Sequence, residues 1–342
     1  MEKRTARSHI ILIASQARPA TGGEDGRGPM RSADQIKVIG VGTGGGHMLN
    51  AMLQGGVEGI TCAAVNTDVQ ALHHTLAPLK VPLGPKFTKG LGAGANPRIA
   101  KLAAFEDPAT IAALVRDAET VIIVAGMGGG TGTGASPVLA TAAKACGTFT
   151  LAVVTMPFRF EGHRRQTQAE VGLLELQRIV DTLIVIPLTG LLKLIPRNIP
   201  LNAAFGMGDS VARSVVQVLA DVLTNRGLVT PADSDVTAAL SAPGITHLGI
   251  GRAAGEHAAK TAAENALTSP LLEEMPLAHA SRLLVHIAGD PDTTFFDIRE
   301  IHSVIRSAAH SQAQIITCLI RNEKMPNETR VTLLATSLFA TI

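Results

Sequence analysis

The segment Gly126-Met127-Gly128-Gly129-Gly130-Thr131-Gly132-Thr133-Gly134 restricts the possible folds more than any other part of the chain. It lies between a β-branched run, Thr120 to Val124, and an alanine-rich stretch whose helical pattern opens at Ser136. A flexible linker does not fit between a buried strand and a helix. Glycine at positive φ can turn successive N–H groups inward to form an anion-binding nest, and Thr131 and Thr133 add hydroxyl donors for phosphate oxygens. A second glycine loop, "GVGTGGGHMLNAML" from Gly40 to Leu53, follows another β-branched run, with Gly40, Gly42 and Gly45 at G-x-G-x-x-G spacing. That spacing alone also suits a nicotinamide dehydrogenase. However, the acid about 20 residues further on, Glu58, precedes the second strand instead of ending it. Two such loops at the carboxyl ends of parallel strands place a polyphosphate in the crevice above the sheet. No Lys follows Gly134, so the loop is not a Walker A motif.

From residue 36 onward, short β-branched runs alternate with helical segments, the pattern of a mostly parallel sheet flanked by helices. Strands are expected at Ile36 to Val41, Thr61 to Val65, Thr120 to Val124, Thr148 to Thr155 and Thr182 to Ile186. Helices are expected near His47 to Gly55, Pro108 to Asp117, Ser136 to Cys146 and Arg164 to Val180. Residues 202–225 carry Val211, Val215, Val216, Leu219 and Val222 at helical spacing and predict one long, largely buried helix. After a Gly/Pro-marked loop comes a second α/β unit. Its strands are expected at His247 to Gly251, Arg282 to Ile287, Gln314 to Ile320 and Thr329 to Ala335, with helices at Ala254 to Leu267 and Asp297 to His310.

Charge and cysteine usage exclude several classes. Lys+Arg is 30 and Asp+Glu is 28, so no global field draws the chain to nucleic acid. Six of those cations and four of the acids fall in residues 1–35, which are expected to form a disordered extension. No apolar run approaches the roughly 20 residues of a membrane span, so direct membrane insertion is not expected. Cys62, Cys146 and Cys318 lack metal or disulfide spacing, so no protein-bound metal site is expected and a reducing cytoplasm fits best. The apolar contexts of Cys62 and Cys146 mark both as small buried residues.

The "GGGTGTG" run looks like the tubulin signature, and the chain resembles the FtsZ family of the tubulin superfamily from residue 36 to about 340. The resemblance implies a Rossmann-like parallel-sheet GTP-binding domain (36–201), a long central helix (202–225) and a second α/β domain (226–342). "IKVIGVGTGGGHMLNAM" is similar to the family's first phosphate loop, with Gly42, Thr43, Gly44, Gly45, Gly46 and His47 at the nucleotide. Thr43 and His47 stand where the family has glycine and asparagine. "AVNTDVQAL" is similar to the second loop, which implies that Asn66 and Asp68 lie near the phosphates and their Mg2+. "GLGAGANP" resembles the γ-phosphate-sensing loop through Ala93, Gly94 and Asn96. Gly128, Gly129, Gly130, Thr131, Gly132 and Thr133 would wrap the phosphates. "MPFRFEGHRR" implies ribose and base contacts from Glu161 and Arg165, and Phe205 would stack on the base. Asp209 falls where the family accepts hydrogen bonds from guanine. A carboxylate can accept from both N1–H and N2–H₂, a donor pair that adenine lacks. Near a helix start, a capping role for Asp209 is the alternative. GTP or GDP is the implied ligand.

The family's active site is shared: the loop after the central helix enters the next subunit's pocket with an N-x-D-x-x-D pattern. Here Thr230 takes the Asn place, Ala232 the first Asp and Asp235 the second, with Asp233 adjacent. One carboxylate is missing. Losing a water-orienting acid typically costs about 10² to 10⁴ in rate, so slow GTP turnover is expected. The resemblance implies head-to-tail self-association, with another FtsZ as a further possible partner. It leaves open a GTPase with slowed hydrolysis or a non-hydrolysing scaffold that copolymerises with or caps a full-length FtsZ. The sequence ends at the last expected strand, so the family's usual C-terminal tether peptide is expected to be absent.

Overall fold

In β1 (Ile36–Val41), Ile36 and Val38 enter one buried cluster while Ile39 and Val41 enter another. Alternate strand side chains point to opposite faces, so both faces of the sheet are covered, as expected of a parallel sheet. These features come from a computed structural model that describes residues 35–193, 198–224, 227–229, 231–241, 244–272, 277–322, 325 and 327–337. The extension expected at the N-terminus lies outside the described residues, apart from Gln35.

After β1 come α1 (Gly42–Gln54), β2 (Thr61–Asn66), α2 (Val69–His73), β3 (Leu79–Pro82), α3 (Pro85–Thr88), α4 (Pro97–Phe105) and α5 (Pro108–Val115). The chain continues through β4 (Thr120–Gly126), α6 (Thr131–Ala145), β5 (Phe149–Met156), α7 (His163–Gln177), β6 (Thr182–Pro187) and α8 (Leu188–Leu191). Helix α9 (Leu201–Leu223) and α10 (Asp233–Leu240) lead to β7 (Ile245–Ala254), α11 (Ala258–Leu267), β8 (Ala280–Gly289), α12 (Phe295–Ala308), β9 (Gln314–Arg321) and β10 (Glu328–Ser337).

All the described strands join one sheet in the order β3-β2-β1-β4-β5-β6-β7-β10-β8-β9. Strands β1 to β6 pair in parallel. Strand β7 joins β6 through only two register pairs, Leu183 with Ile245 and Ile184 with Thr246. Beyond that narrow junction, β10 runs antiparallel to both β7 and β8. Helix α9 spans the junction: Val215, Val216, Leu219 and Val222 share a buried cluster with Val153 and Ile184 on one side and Leu284, Ile316 and Leu334 on the other. Its apolar stripe recurs at helical spacing, which is how a single helix serves both parts of the sheet. None of the described helices is long and apolar enough to cross a membrane.

Three expectations need correction. The helices after the glycine loops begin at Gly42 and Thr131, not at His47 and Ser136, because most of these glycines keep ordinary φ and form the first helical turns. Short elements absent from the sequence reading, β3, α2, α4 and α10 among them, fill the expected loops. Cys146 is exposed: it is the C-cap of α6, where the helix runs out and the side chain leaves the core. Cys62 and Cys318 are buried, and burial pushes their thiols up to about 11 and about 12.

Candidate nucleotide-binding site

The two glycine loops meet at the carboxyl ends of β1 and β4. Each has one glycine in the left-handed region, Gly42 (φ 72°) and Gly128 (φ 90°), where the strand turns toward its helix. The remaining glycines act mainly by omission. A Cβ on Gly45 would sit 2.5 Å from Val124 O, one on Gly132 2.3 Å from Gly126 O, and one on Gly134 2.0 Å from Pro97 O. These contacts seat the starts of α1 and α6 directly on backbone. A Cβ on Gly42 would reach Gly132 N at 3.0 Å, so the two helix N-termini converge, and such termini attract anions. Gly129 has nothing within 4 Å of its virtual Cβ and opens onto free space.

Hydroxyls brace this arrangement. Gly128 N–H donates to the buried Thr133 Oγ1 at 2.9 Å, so Thr133 closes the loop on itself. Thr131 Oγ1 lies 2.7 Å from Thr67 Oγ1 and ties the Gly126–Gly134 loop to the end of β2. Asn66, also at that end and 2% exposed, donates to Thr43 Oγ1 at 3.5 Å and accepts from Asp68 N–H at 3.1 Å. Asp68 caps α2 by accepting from Ala71 N–H at 3.0 Å. Thr67 was missed by the sequence reading, although it stands between two nominated residues. The third loop closes on the same place: Gly130 faces Ala93 and Asn96, and Gly94 and Ala95 take successive left-handed conformations before Asn96 caps α4.

The segment packed against Gly128, from Pro157 to Arg165, is aromatic and acidic and meets α9. Phe205 from α9 is 40% exposed and meets the buried Phe158 edge-on at 5.3 Å, while Phe160 stacks on Phe158 at 5.0 Å. Glu161 Oε1 accepts from Phe158 N–H at 2.8 Å and Oε2 pairs with Arg165 at 3.0 Å, so the two nominated residues hold one another. Asp209 lies well inside α9, not at its cap. Burial raises its carboxyl above the ordinary range, and His47 from α1, within electrostatic reach, opposes the rise. The structure thereby brings together His47 and Asp209, which are distant in sequence.

Comparison with known proteins agrees with this geometry. The family model "Tubulin/FtsZ family, GTPase domain" matches residues 35–196, and "FtsZ family, C-terminal domain" matches 244–339. The cell division protein FtsZ of Buchnera aphidicola subsp. Baizongia pistaciae (strain Bp) is 40% identical over 303 residues, covering 89% of this chain and 79% of that protein. The chain belongs to the FtsZ family. Among solved structures, an empty FtsZ dimer from M. jannaschii is 39% identical with a TM-score of 0.84, covering 89% of this chain and 88% of the other. CetZ2 from Haloferax volcanii, solved as a GTPgS-bound protofilament, shares the fold at a TM-score of 0.78 and 22% identity, over 90% and 94% of the two chains.

The acids nominated by the FtsZ resemblance lie elsewhere in the subunit. Asp233 and Asp235 occupy the first turn of α10, while Thr230 lies outside the described residues. From Asp209 to the end of α9 at Leu223 is roughly 20 Å at about 1.5 Å per residue, and α10 begins beyond that. Val229, just before α10, bridges to Leu319 of β9, on the far side of the narrow sheet junction. In this chain the α10 acids therefore lie beyond the far end of α9 from Asp209. Ala232 is the N-cap of α10 and supplies no side-chain capping bond.

Proposed function

We propose that this FtsZ-family chain binds GTP between its glycine loops, polymerises head to tail, and hydrolyses GTP slowly. The observation that carries the reading is the separation within one subunit of the glycine loops from Asp233 and Asp235. A neighbour supplying α10 to the crevice completes the site, and a heterologous contact of that kind builds open filaments.

In this reading the glycine-loop N–H groups and the N-termini of α1 and α6 bind the phosphates. Phe205 stacks on the base, and ionised Asp209 accepts from both guanine donors. Among the described residues no group of three or more His, Cys, Asp or Glu could hold a metal on its own. Mg2+ suits such a site, because it keeps several waters and binds through one or two carboxylates plus substrate phosphates. Asp68, whose Oδ1 is engaged by α2, would lend the second oxygen, and the ion would neutralise phosphate charge.

Phosphoryl transfer rests mainly on positioning and electrostatics, so GTP binding persists where water orientation is impaired. With Ala232 in place of an acid, turnover is expected to be lower by about 10² to 10⁴ than with the full acid pair. Ala232 also favours a second reading: a non-hydrolysing scaffold that copolymerises with, or caps, another FtsZ. Sedimentation with GTP, GDP and a non-hydrolysable analogue, combined with phosphate release, tests both. GTP-dependent pelleting with slow release supports the first reading, and pelleting with no release supports the scaffold. Failure to bind GTP, or turnover at the rate of an FtsZ with both acids, sinks the proposal.

A further inference from the structure

The first turns of α4 and α6 and the length of α7 from Arg164 to Glu175 line a cavity of about 560 Å³ that shares Asn96 and Thr133 with the proposed nucleotide site but otherwise lies apart from it. Arg98 and Lys101 line it from α4, Arg164 and Glu175 from α7, and Thr133 and Gly134 from α6. Its charged lining is three cations against one carboxylate. Lys101 and Glu175 neutralise one another by pairing across the cavity. Arg98 and Arg164 are exposed, and among the described residues neither guanidinium has a hydrogen-bond or ion-pair partner. Two unpaired guanidinium forks, Arg98 in the first turn of α4 and Arg164 in the first turn of α7, form a cationic surface suited to bidentate oxyanions. The volume lies within the range of small-molecule sites, about 300 to 1,000 Å³.

The floor of the cavity belongs to the glycine loop. Thr133 Oγ1 receives the Gly128 N–H bond, and its methyl lies against Gly172 of α7, where a Cβ would come within 2.4 Å. Asn96, which also lines the cavity, has its backbone against Gly130. A ligand drawing α4 and α7 together would therefore press on the residues that shape the phosphate loop.

We propose that this cavity is a second ligand site, taking a phosphorylated small molecule gripped by Arg98 and Arg164, and that its occupancy changes nucleotide retention through Thr133. The coupling rests on the glycine loops holding GTP or GDP; the binding does not.

The test uses the full chain saturated with GDP, which fills the glycine-loop site, and titrates inorganic pyrophosphate by calorimetry. Saturable binding is expected, weakening with added salt and falling at least tenfold in Arg98→Ala/Arg164→Ala. Circular dichroism checks that this variant is folded, and Arg98→Lys/Arg164→Lys is expected to recover part of the binding. No saturable binding, or binding unchanged in the double alanine variant, overturns the site. Release of a fluorescent GDP is read in parallel: pyrophosphate is expected to change its rate at least fivefold in the parent and not in the alanine variant. Binding without a rate change overturns the coupling. Failure of fluorescent GDP to bind at all strikes the nucleotide reading instead.

Discussion

In the proposed site, Asp209 trades folding stability for recognition. Burial raises its pKa, so its charged form is disfavoured in the folded chain without nucleotide. Because the folded value lies above the unfolded one, stability is greatest below the ordinary carboxylate range and falls as pH rises through the raised value. In the proposed site guanine affinity would move the opposite way, since only the ionised carboxylate accepts from both base donors. Asp209→Asn is expected to flatten the acid-side pH dependence of both melting and GTP binding. It is also expected to weaken GTP by about 1.5–3 kcal/mol, the worth of a charged hydrogen bond. Unchanged pH profiles would refute the assignment. The glycines separate structure from ligand contact in a similar way. Gly132→Ala drives a Cβ into Gly126 O and is expected to cost about 1–3 kcal/mol in denaturant melts. Gly129→Ala meets nothing, so stability should hold within about 0.5 kcal/mol while GTP affinity falls at least tenfold. Neither difference is legible in the sequence, where both residues are simply glycine in one run. What separates them is the backbone of β4, which lies against Gly132 and not against Gly129.

At the scale of elements, the strands of the parallel sheet were legible because both faces are apolar and their runs are β-branched. The four-residue β3 was not: half-exposed Leu79, Lys80, Val81 and Pro82 carry no alternation and pair only because Ala63 to Asn66 lie beside them. The long helix α9 was legible from its stripe, yet its polar partner was hidden. His286 in β8 is fully buried, with Nε2 3.2 Å from Asp221 Oδ2 but misaligned, so neither ring nitrogen hydrogen-bonds among the described residues. Beside it, Thr332 Oγ1 and Arg330 Nε are also buried without a partner among the described residues, while Gln217 donates to Asp221 at 2.7 Å. Asp221 is therefore the polar link between α9 and the β8–β10 face, formed by residues about 65 apart in sequence that no local pattern joins. Asp221→Ala is expected to destabilise the chain by about 1–3 kcal/mol in denaturant melts, the penalty for leaving buried polar groups unmet. A change within error would mean that water already serves them.

In the proposed arrangement, recognition lies at one end of α9 and the acids beyond the other, so a substitution in α10 would act on chemistry only through assembly. Ala232→Asp tests that logic and has two separable effects. Within the subunit, an Asp at the N-cap of α10 can accept from the helix's free N–H groups and is expected to add about 1 kcal/mol. Across the filament it supplies the missing carboxylate, and steady-state phosphate release is expected to rise by about 10² or more. If each crevice needs a neighbour's α10, as proposed, the increase should appear only above the concentration at which the protein pellets. Asp235→Ala should abolish it in the same background while leaving GTP binding intact. Phosphate release that rises in dilute, non-pelleting protein would mean that the acids act within their own subunit, and the shared-site reading would fall. A gain in stability without any gain in turnover would limit Ala232→Asp to a helix cap and favour the scaffold reading.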